Sequence, residues 1–176
     1  MNEIGVLYTQ EGFLEDAEDR FQLVLNARSE MLGSSHPLYL QTLANLSLVK
    51  ARQGQLHEAE ELCRKAAVGV EAVLGWLHDT TLSIYRTLAY ICGLQGLFVD
   101  AAAIFRRVEG GCSEIFGEQH STVMGARDLA DSMLERAEIS READMAVLLV
   151  PTHLETASAA ALSSHGDESI KSEPLQ

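Results

Sequence analysis

Three histidines recur at equal intervals, and their residue type suggests chemistry. His36, His78 and His120 are 42 residues apart, and each follows a glycine by three places in "LGSSHP", "LGWLHD" and "FGEQHS". Imidazole is a common ligand of zinc, but zinc needs each nitrogen at about 2.0–2.1 Å. If each interval is a helical unit, stacked helices about 8–10 Å apart cannot bring equivalent histidines to one ion. We therefore expect turn histidines that hydrogen-bond to the backbone, and neither metal nor cofactor.

The remaining reactive residues give no catalytic pattern. The sequence contains no G-x-S-x-G, no P-loop, no strand-linked G-x-G-x-x-G and no H-E-x-x-H. The three cysteines, Cys63, Cys92 and Cys112, are odd in number and unequally spaced, which fits neither a disulfide framework nor a paired metal site. We predict that the chain is not an enzyme and that its thiols are reduced, with Cys63 and Cys92 on apolar helix faces.

Composition restricts the partners. The 176 residues are 47% hydrophobic, enough for a packed core, and carry 26 acidic against 13 basic side chains, a net charge of −13. Phosphate backbones and anionic lipid both attract clustered Lys or Arg, so neither nucleic acid nor a membrane is expected as a partner. The first residues lack a basic and then apolar signal segment, and no apolar run reaches the roughly 18 residues of a spanning helix. A cytoplasmic location is predicted.

The 42-residue interval organises more than the histidines. Gly12, Gly54 and Gly96 also recur at this interval, and an alanine follows each of them by five places. Between these marks, apolar residues recur every three or four positions, as in residues 39–53 and 56–74, which predicts two helices per unit. Glycine suits both turns because it enters left-handed backbone without a Cβ clash.

The hexapeptide is then the joint between units, and a helix must start directly after it. Pro37 suits the first turn of such a helix. Asp79 and Ser121 are the residues predicted to cap the exposed amides of the next two helices.

Repeated hairpins bury their apolar faces against one another, so the predicted fold is an all-α solenoid. The predicted array spans residues 1–150, with units 1–36, 37–78, 79–120 and 121–150, followed by a disordered tail at 151–176.

The last unit has Glu138 where glycine is expected, and its pattern indicates a capping helix pair or one longer helix. Gly110 and Gly111 lie within a predicted helix, where each costs about 1 kcal/mol relative to Ala and favours local bending.

The repeat carries a family resemblance. "IGVLY" at 4–8, then Gly12, then "AEDRF" at 17–21 resembles the tetratricopeptide pattern. The period of 42 instead of about 34, together with the Leu-Gly and His-Pro of the joint, is similar to the kinesin light chain type. The resemblance implies a right-handed α-solenoid of tetratricopeptide-type helical hairpins. It also implies that the first helix of each unit lines a concave groove that binds an extended or helical peptide.

The candidate partner-binding residues follow from that resemblance. The kinesin light chain type has an Asn pair in the first helix, of which Asn45 matches one member and Ala44 replaces the other. Arg and Tyr are frequent interface anchors. For Arg52 and Arg86 a surface position or an intramolecular ion pair is an equal alternative. The predicted set is Asn2, Val6, Thr9, Gln41, Asn45, Leu48, Arg52, Arg86, Tyr90 and, in the joint, Trp76.

Two further features have alternatives. Trp76 and Leu77 are apolar residues in a joint that is otherwise polar, so they pack against a neighbouring helix or form an exposed contact for a partner. The acidic clusters at 15–19 and 58–61 lie on second helices, as a solvated convex face or as a docking site for a basic partner.

The predicted function is a protein-interaction module that binds a peptide or partner protein on the concave face. Met1 falls inside the first helix of the first unit, so we expect either a piece of a longer array or an N-terminal edge that something else covers. The alternative function is therefore a structural or regulatory segment that self-associates through this edge or serves a larger signalling NTPase.

Overall fold

A computed structural model describes residues 2–148 of the chain, and this part consists of helices and turns, without strands. The predicted tail at 151–176 lies outside the described residues. Seven helices follow one another: α1 (Asn2–Glu11), α2 (Leu14–Leu32), α3 (Pro37–Arg52), α4 (Leu56–Leu74), α5 (Asp79–Leu94), α6 (Phe98–Phe116) and α7 (Ser121–Leu148). The chain divides into two units, residues 1–139 and 140–176, and the structure describes only the last turns of α7 in the second.

Glycine forms every turn between the first six helices, and the turn before α7. Gly33 and Gly75, in two of the joints, have φ of 87° and 82°. A Cβ at either position would meet nothing within 4 Å, so the requirement is conformational and not spatial. The 42-residue recurrence of glycine is thus a recurrence of left-handed backbone.

Helix pairing gives an all-α solenoid, as predicted. Within residues 2–139, α1 with α2, α3 with α4, and α5 with α6 pack as hairpins, and α2 with α3 and α4 with α5 join one hairpin to the next. Successive first helices also contact each other, α1 with α3 and α3 with α5, more extensively than successive second helices do. The first helices therefore lie on the inner side of the stack.

The hairpin interfaces depend on complementary side-chain size. Ala17, Ala59 and Ala101 are each 0% exposed where two helices cross closely. In the first hairpin the Phe21 ring fills the space at Gly5, where a Cβ would lie 2.8 Å from the ring. Protein interiors are packed so densely that one added methylene forces neighbouring atoms to move. The residues at these interfaces must therefore stay small.

The last described helix covers the end of the array. Helix α7 is one continuous helix, which is the single-helix alternative for the fourth unit. One stripe of it is buried, at Val123, Ala126, Ala130 and Met133. Beside this stripe Arg127 pairs with Glu109 of α6 at 2.6 Å, and Asp131 pairs with Arg106. The positions equivalent to Arg127 and Asp131 in the first helices of earlier units hold buried residues. Helix α7 therefore has charged side chains at positions where those helices have core side chains.

Candidate functional site

The three periodic histidines cap the first helices. In each case the histidine Nδ1 atom accepts a hydrogen bond from the backbone amide two residues further on. The pairs are His36 with Leu38 at 3.2 Å, His78 with Thr80 at 3.2 Å and His120 with Thr122 at 3.3 Å. The histidines hydrogen-bond to the backbone as expected, but the bonded amide lies in the first turn of the next helix and not in the joint hexapeptide. The expectation that Asp79 and Ser121 are the caps is wrong, because both are already the first residues of their helices. An imidazole acceptor supplies what a Ser or Asp side chain usually supplies.

The described part of the chain contains no cluster of side chains suited to bind a metal ion. Among residues 2–148, no group of three or more His, Cys, Asp or Glu side chains is arranged to hold a metal ion. The three cysteines are free and buried, and burial raises the pKa of the Cys63 thiol to about 12. A thiol held protonated in this way is a poor nucleophile.

The inner face of α3 presents four of the predicted residues. Gln41 and Arg52 are exposed, and Asn45 and Leu48 are half-buried along the same side of the helix. The Arg52 guanidinium donates a hydrogen bond to the carbonyl oxygen of Thr9 at 2.5 Å. Arg52 thus ties α3 to the end of α1 through a hydrogen bond to a backbone carbonyl, and not through the ion pair that was the intramolecular alternative.

The predicted residues of α1 are less accessible. Val6 is half-buried and packs on the core, and the side chain of Asn2 lies outside the described residues. Thr9 is only 5% exposed, and its hydroxyl donates to the carbonyl oxygen of Gly5 at 2.7 Å. The expectation that Thr9 lines the groove is corrected on this ground, since its one hydroxyl is satisfied inside the helix.

Helix α5 continues the inner face with Arg86 and Tyr90, both exposed. The ion pairs among the described residues do not include Arg86. One repeat after Gln41, Asn45 and Arg52, α5 has exposed or half-buried side chains that the sequence reasoning missed: Ser83, Thr87 and Leu94. A shift of the α3 residues by 42 positions would have found them.

A cleft of about 200 Å³ opens beside Arg86, between α5, α6 and the start of α7. Its floor is apolar, and Arg86 shares its polar rim with one acidic residue and two hydroxyls. The lining residues are Asp79, Leu82, Ser83, Arg86, Val108, Cys112 and Thr122.

Trp76 has intramolecular partners in the joint. Its ring packs edge-on against Tyr85 with centroids 5.0 Å apart, and the Arg107 guanidinium lies 3.7 Å from the Trp76 centroid. Arg107 also pairs with Glu71 at 2.8 Å, and Glu71 accepts the Tyr85 hydroxyl. These contacts are the packing alternative for Trp76, whereas the adjacent Leu77 is 46% exposed. We call these four residues, Glu71, Trp76, Tyr85 and Arg107, the joint cluster.

At least one residue of each acidic cluster on the second helices, Glu18 and Glu60, has a partner within the array. Glu18 lies 2.6 Å from Lys50 and accepts a hydrogen bond from Gln53 at 2.9 Å. The hydrogen bond from Lys50, and then that from Gln53, hold the pKa of Glu18 below its usual range. Glu60 pairs with Arg64, whose hydrogen bond lowers the pKa of Glu60. Glu18 and Lys50 tie successive hairpins together, which the solvated-face interpretation did not foresee.

None of the described helices combines the length and the apolar character needed to cross a membrane.

Comparison with known proteins identifies the fold family. The tetratricopeptide repeat model matches residues 1–67 and 45–114, which together make up more than half of the chain. The chain belongs to the tetratricopeptide repeat family. Arrays of this family serve generally as protein–protein interaction modules and are typically not catalytic. No curated protein matches the chain.

Solved structures are similar in fold. A Podosopora anserina structure described as kinesin light chain nearly identical TPR-like repeats is 19% identical, with a TM-score of 0.68 over 86% of this chain and 75% of that one. The structure of BtubC (BKLC) from P. vanneervenii is 15% identical, with a TM-score of 0.61 over 98% of this chain and 67% of that one. The predicted kinesin light chain-like repeat fold is confirmed.

Proposed function

We propose that the chain binds a peptide segment of another protein along the inner face of α3 and α5. The observation that carries this proposal is that two first helices in direct contact present their repeat-equivalent stripes to solvent. The stripe of α3 runs through Gln41, Asn45 and Leu48, and that of α5 runs through Ser83, Thr87 and Tyr90. Residues of one stripe are spaced by three or four, so they share one helix face.

The chemistry of these stripes suits recognition of an extended or helical backbone. Asn45 and Gln41 offer amide donors and acceptors, and Tyr90, at 46% exposed, offers a large rigid surface. Arg86, at the cleft, supplies a forked cation for a carboxylate or carbonyl of the ligand. Arg52 and Trp76 take no part in this proposal, because their side chains already bind within the array.

The experiment selects peptides from a random displayed library against the whole chain and measures their affinity by fluorescence anisotropy. Arg86→Ala and Tyr90→Ala are each expected to weaken the selected peptides about tenfold or more, about 1.4 kcal/mol. Lys65→Ala, an exposed position on α4, is the matched control and leaves the affinity unchanged. Selected peptides that bind both groove variants as tightly as the native chain contradict the proposal.

A further inference from the structure

Several large apolar side chains are exposed at the edge of the array where the joints lie. Leu77, in the joint between α4 and α5, is 46% exposed, and Val73, in the last turn of α4, is 51% exposed. Leu38, in the first turn of α3, and Ile115, in the last turn of α6, are 44% and 40% exposed. We call Leu38, Val73, Leu77 and Ile115 the joint edge.

The joint after α4 lies against the end of α6. Trp76, the neighbour of Leu77, packs on α6 so closely that a Cβ at Gly111 would be 3.1 Å from its indole nitrogen. Ile115 is four residues beyond Gly111, so it lies one turn further along the same helix face. Leu77 therefore lies beside the last turn of α6.

The start of α3 meets the end of α4 in the equivalent way, one repeat earlier. A Cβ at Gly69 of α4 would be 2.9 Å from a methyl carbon of Leu40, in the first turns of α3, and Val73 is one turn beyond Gly69. Leu38 is two residues before Leu40 and so lies beside the last turn of α4. The joint edge is therefore one continuous apolar surface, and exposed surfaces of this kind are typical of interaction sites.

The charges around the joint edge are nearly all acidic. Residues 70–80 and 112–122 contain neither Lys nor Arg, and their carboxylates are Glu71, Asp79, Glu114 and Glu118. Among the described residues, Glu71 is the one of these four that forms an ion pair, with Arg107. The equivalent residues 28–38 contain Arg28, whose guanidinium donates to the carbonyl oxygen of Leu38 at 2.6 Å. The apolar surface is thus bordered by carboxylates that have no cation beside them in the array.

We propose that the joint edge docks an amphipathic helix of another protein, with apolar residues on one face and Lys or Arg along the borders of that face. The apolar face packs on Leu77 and its neighbours, and the basic side chains pair with the bordering carboxylates. This surface uses none of the groove residues, so it goes beyond the proposed function. A second copy of this chain is a poor occupant, because it brings the same carboxylates and a net charge of −13.

The probes are three designed peptides of about 18 residues, about five helical turns. The first has leucines on one helix face and lysines on both borders of that face. The second has glutamates in place of the lysines, and the third has the composition of the first but with leucines spread around the helix. Binding to the whole chain is measured by fluorescence anisotropy at about 50 mM salt, where charge contacts are weakly screened. The first peptide is expected to bind at least about tenfold more tightly than either of the others.

Variants of the apolar residues locate the contact. Leu77→Ser and Val73→Thr are each expected to weaken the first peptide about fivefold or more, and this loss persists at about 0.5 M salt because apolar burial is not screened. Leu23→Ser on α2 and Val99→Thr at the start of α6 are the matched controls, since Leu23 is 50% and Val99 is 64% exposed. Both controls leave the affinity unchanged.

Variants of the carboxylates test the charge. The double variant Glu114→Gln with Glu118→Gln is expected to weaken the first peptide about threefold or more at about 50 mM salt and to have no effect at about 0.5 M. The control removes the same charge elsewhere, as Glu15→Gln with Asp16→Asn, two exposed residues at the start of α2. It leaves the affinity within about twofold of the native value, because exposed charges more than a Debye length apart are largely screened.

Several results overturn the proposal. One is no binding of the first peptide, and another is equal binding of the glutamate peptide. Binding that survives both Leu77→Ser and Val73→Thr, or that Tyr90→Ala in the groove abolishes, places the peptide elsewhere. A dimer of the native chain that Leu77→Ser dissociates in sedimentation assigns the surface to a second copy instead. Circular dichroism of every variant confirms that the helices are retained.

Discussion

Gly111 of α6 lies directly against Leu82 of α5: a Cβ at Gly111 would be 2.7 Å from a Leu82 methyl carbon and 3.1 Å from the indole nitrogen of Trp76. Its neighbour Gly110 faces open space. The two glycines look alike in sequence, and both were expected to weaken the helix. Only Gly111 has a packing reason to be glycine, and Gly69, one repeat earlier, lies against Leu40 in the same way.

The first prediction compares Ala at these neighbouring positions. Gly110→Ala is expected to raise the free energy of unfolding by about 0.5–1 kcal/mol through helix propensity. Gly111→Ala gains the same propensity but overpacks the buried Leu82, which costs about 1–3 kcal/mol. Urea unfolding should therefore place Gly111→Ala about 1–3 kcal/mol below Gly110→Ala. Equal free energies of unfolding for the two variants would contradict this, since they would mean that Leu82 and Trp76 move aside without loss of stability.

The second prediction concerns the histidine caps. His78→Ala removes the acceptor for the Thr80 amide and is expected to lower the free energy of unfolding by about 0.5–2 kcal/mol. His78→Asn restores a side-chain acceptor and should recover most of this loss. His57→Ala, at an exposed histidine within α4, is the control and should stay within about 0.5 kcal/mol of the native chain. An Asn variant as unstable as the Ala variant argues against a capping role.

The third prediction uses Trp76, the only tryptophan in the sequence, as a reporter of the joint cluster. Arg107→Met removes the cation over the indole and the ion pair with Glu71, and it should lower stability by about 1 kcal/mol. The emission maximum of Trp76 should move to longer wavelength as water reaches the ring. Arg64→Met, on α4, is the control. An unchanged spectrum in Arg107→Met would mean that Arg107 does not cover the ring in solution.

The fourth prediction is the acid response of Glu109. Hydrogen bonds from Arg106 and then Arg127 lower the pKa of Glu109 in the folded chain, so as pH falls the unfolded chain takes up this proton first. The stabilisation is present above the unfolded pKa, near 4.5, and is lost as pH falls through the lower folded pKa. Glu109→Gln should be less stable than the native chain at pH 6, and its stability should fall less steeply between pH 5 and 3. Parallel slopes would exclude Glu109 as a source of acid sensitivity.

Much of the fold was predictable from the sequence because the period, the glycines and the apolar spacing all describe the same hairpin. The helix predicted at 56–74 is α4 residue for residue, and the helix predicted at 39–53 differs from α3 by only a few residues. The caps were not predicted, because an imidazole is an unusual N-cap and Asp79 and Ser121 match the usual residue types. Contacts across repeats, such as Arg52 to Thr9, depend on helix crossing geometry that a single sequence does not contain.

The groove was only partly predictable for the same reason. Repeat equivalence alone places Thr9 with Ala51, which is 5% exposed, so the burial of Thr9 follows from the register of the stripe. Arg86 takes the place of Ala44, which is 4% exposed, yet Arg86 is exposed. The surroundings of Ala44 therefore do not predict those of Arg86.

The central claim is tested most directly by amide chemical-shift mapping of the whole chain as a library-selected peptide is added. The account predicts that the shifted amides concentrate on the inner faces of α3 and α5, around Asn45, Thr87 and Tyr90, while α2 and the outer face of α4 stay unchanged. Shifts that concentrate on the second helices and spare these three residues would contradict it.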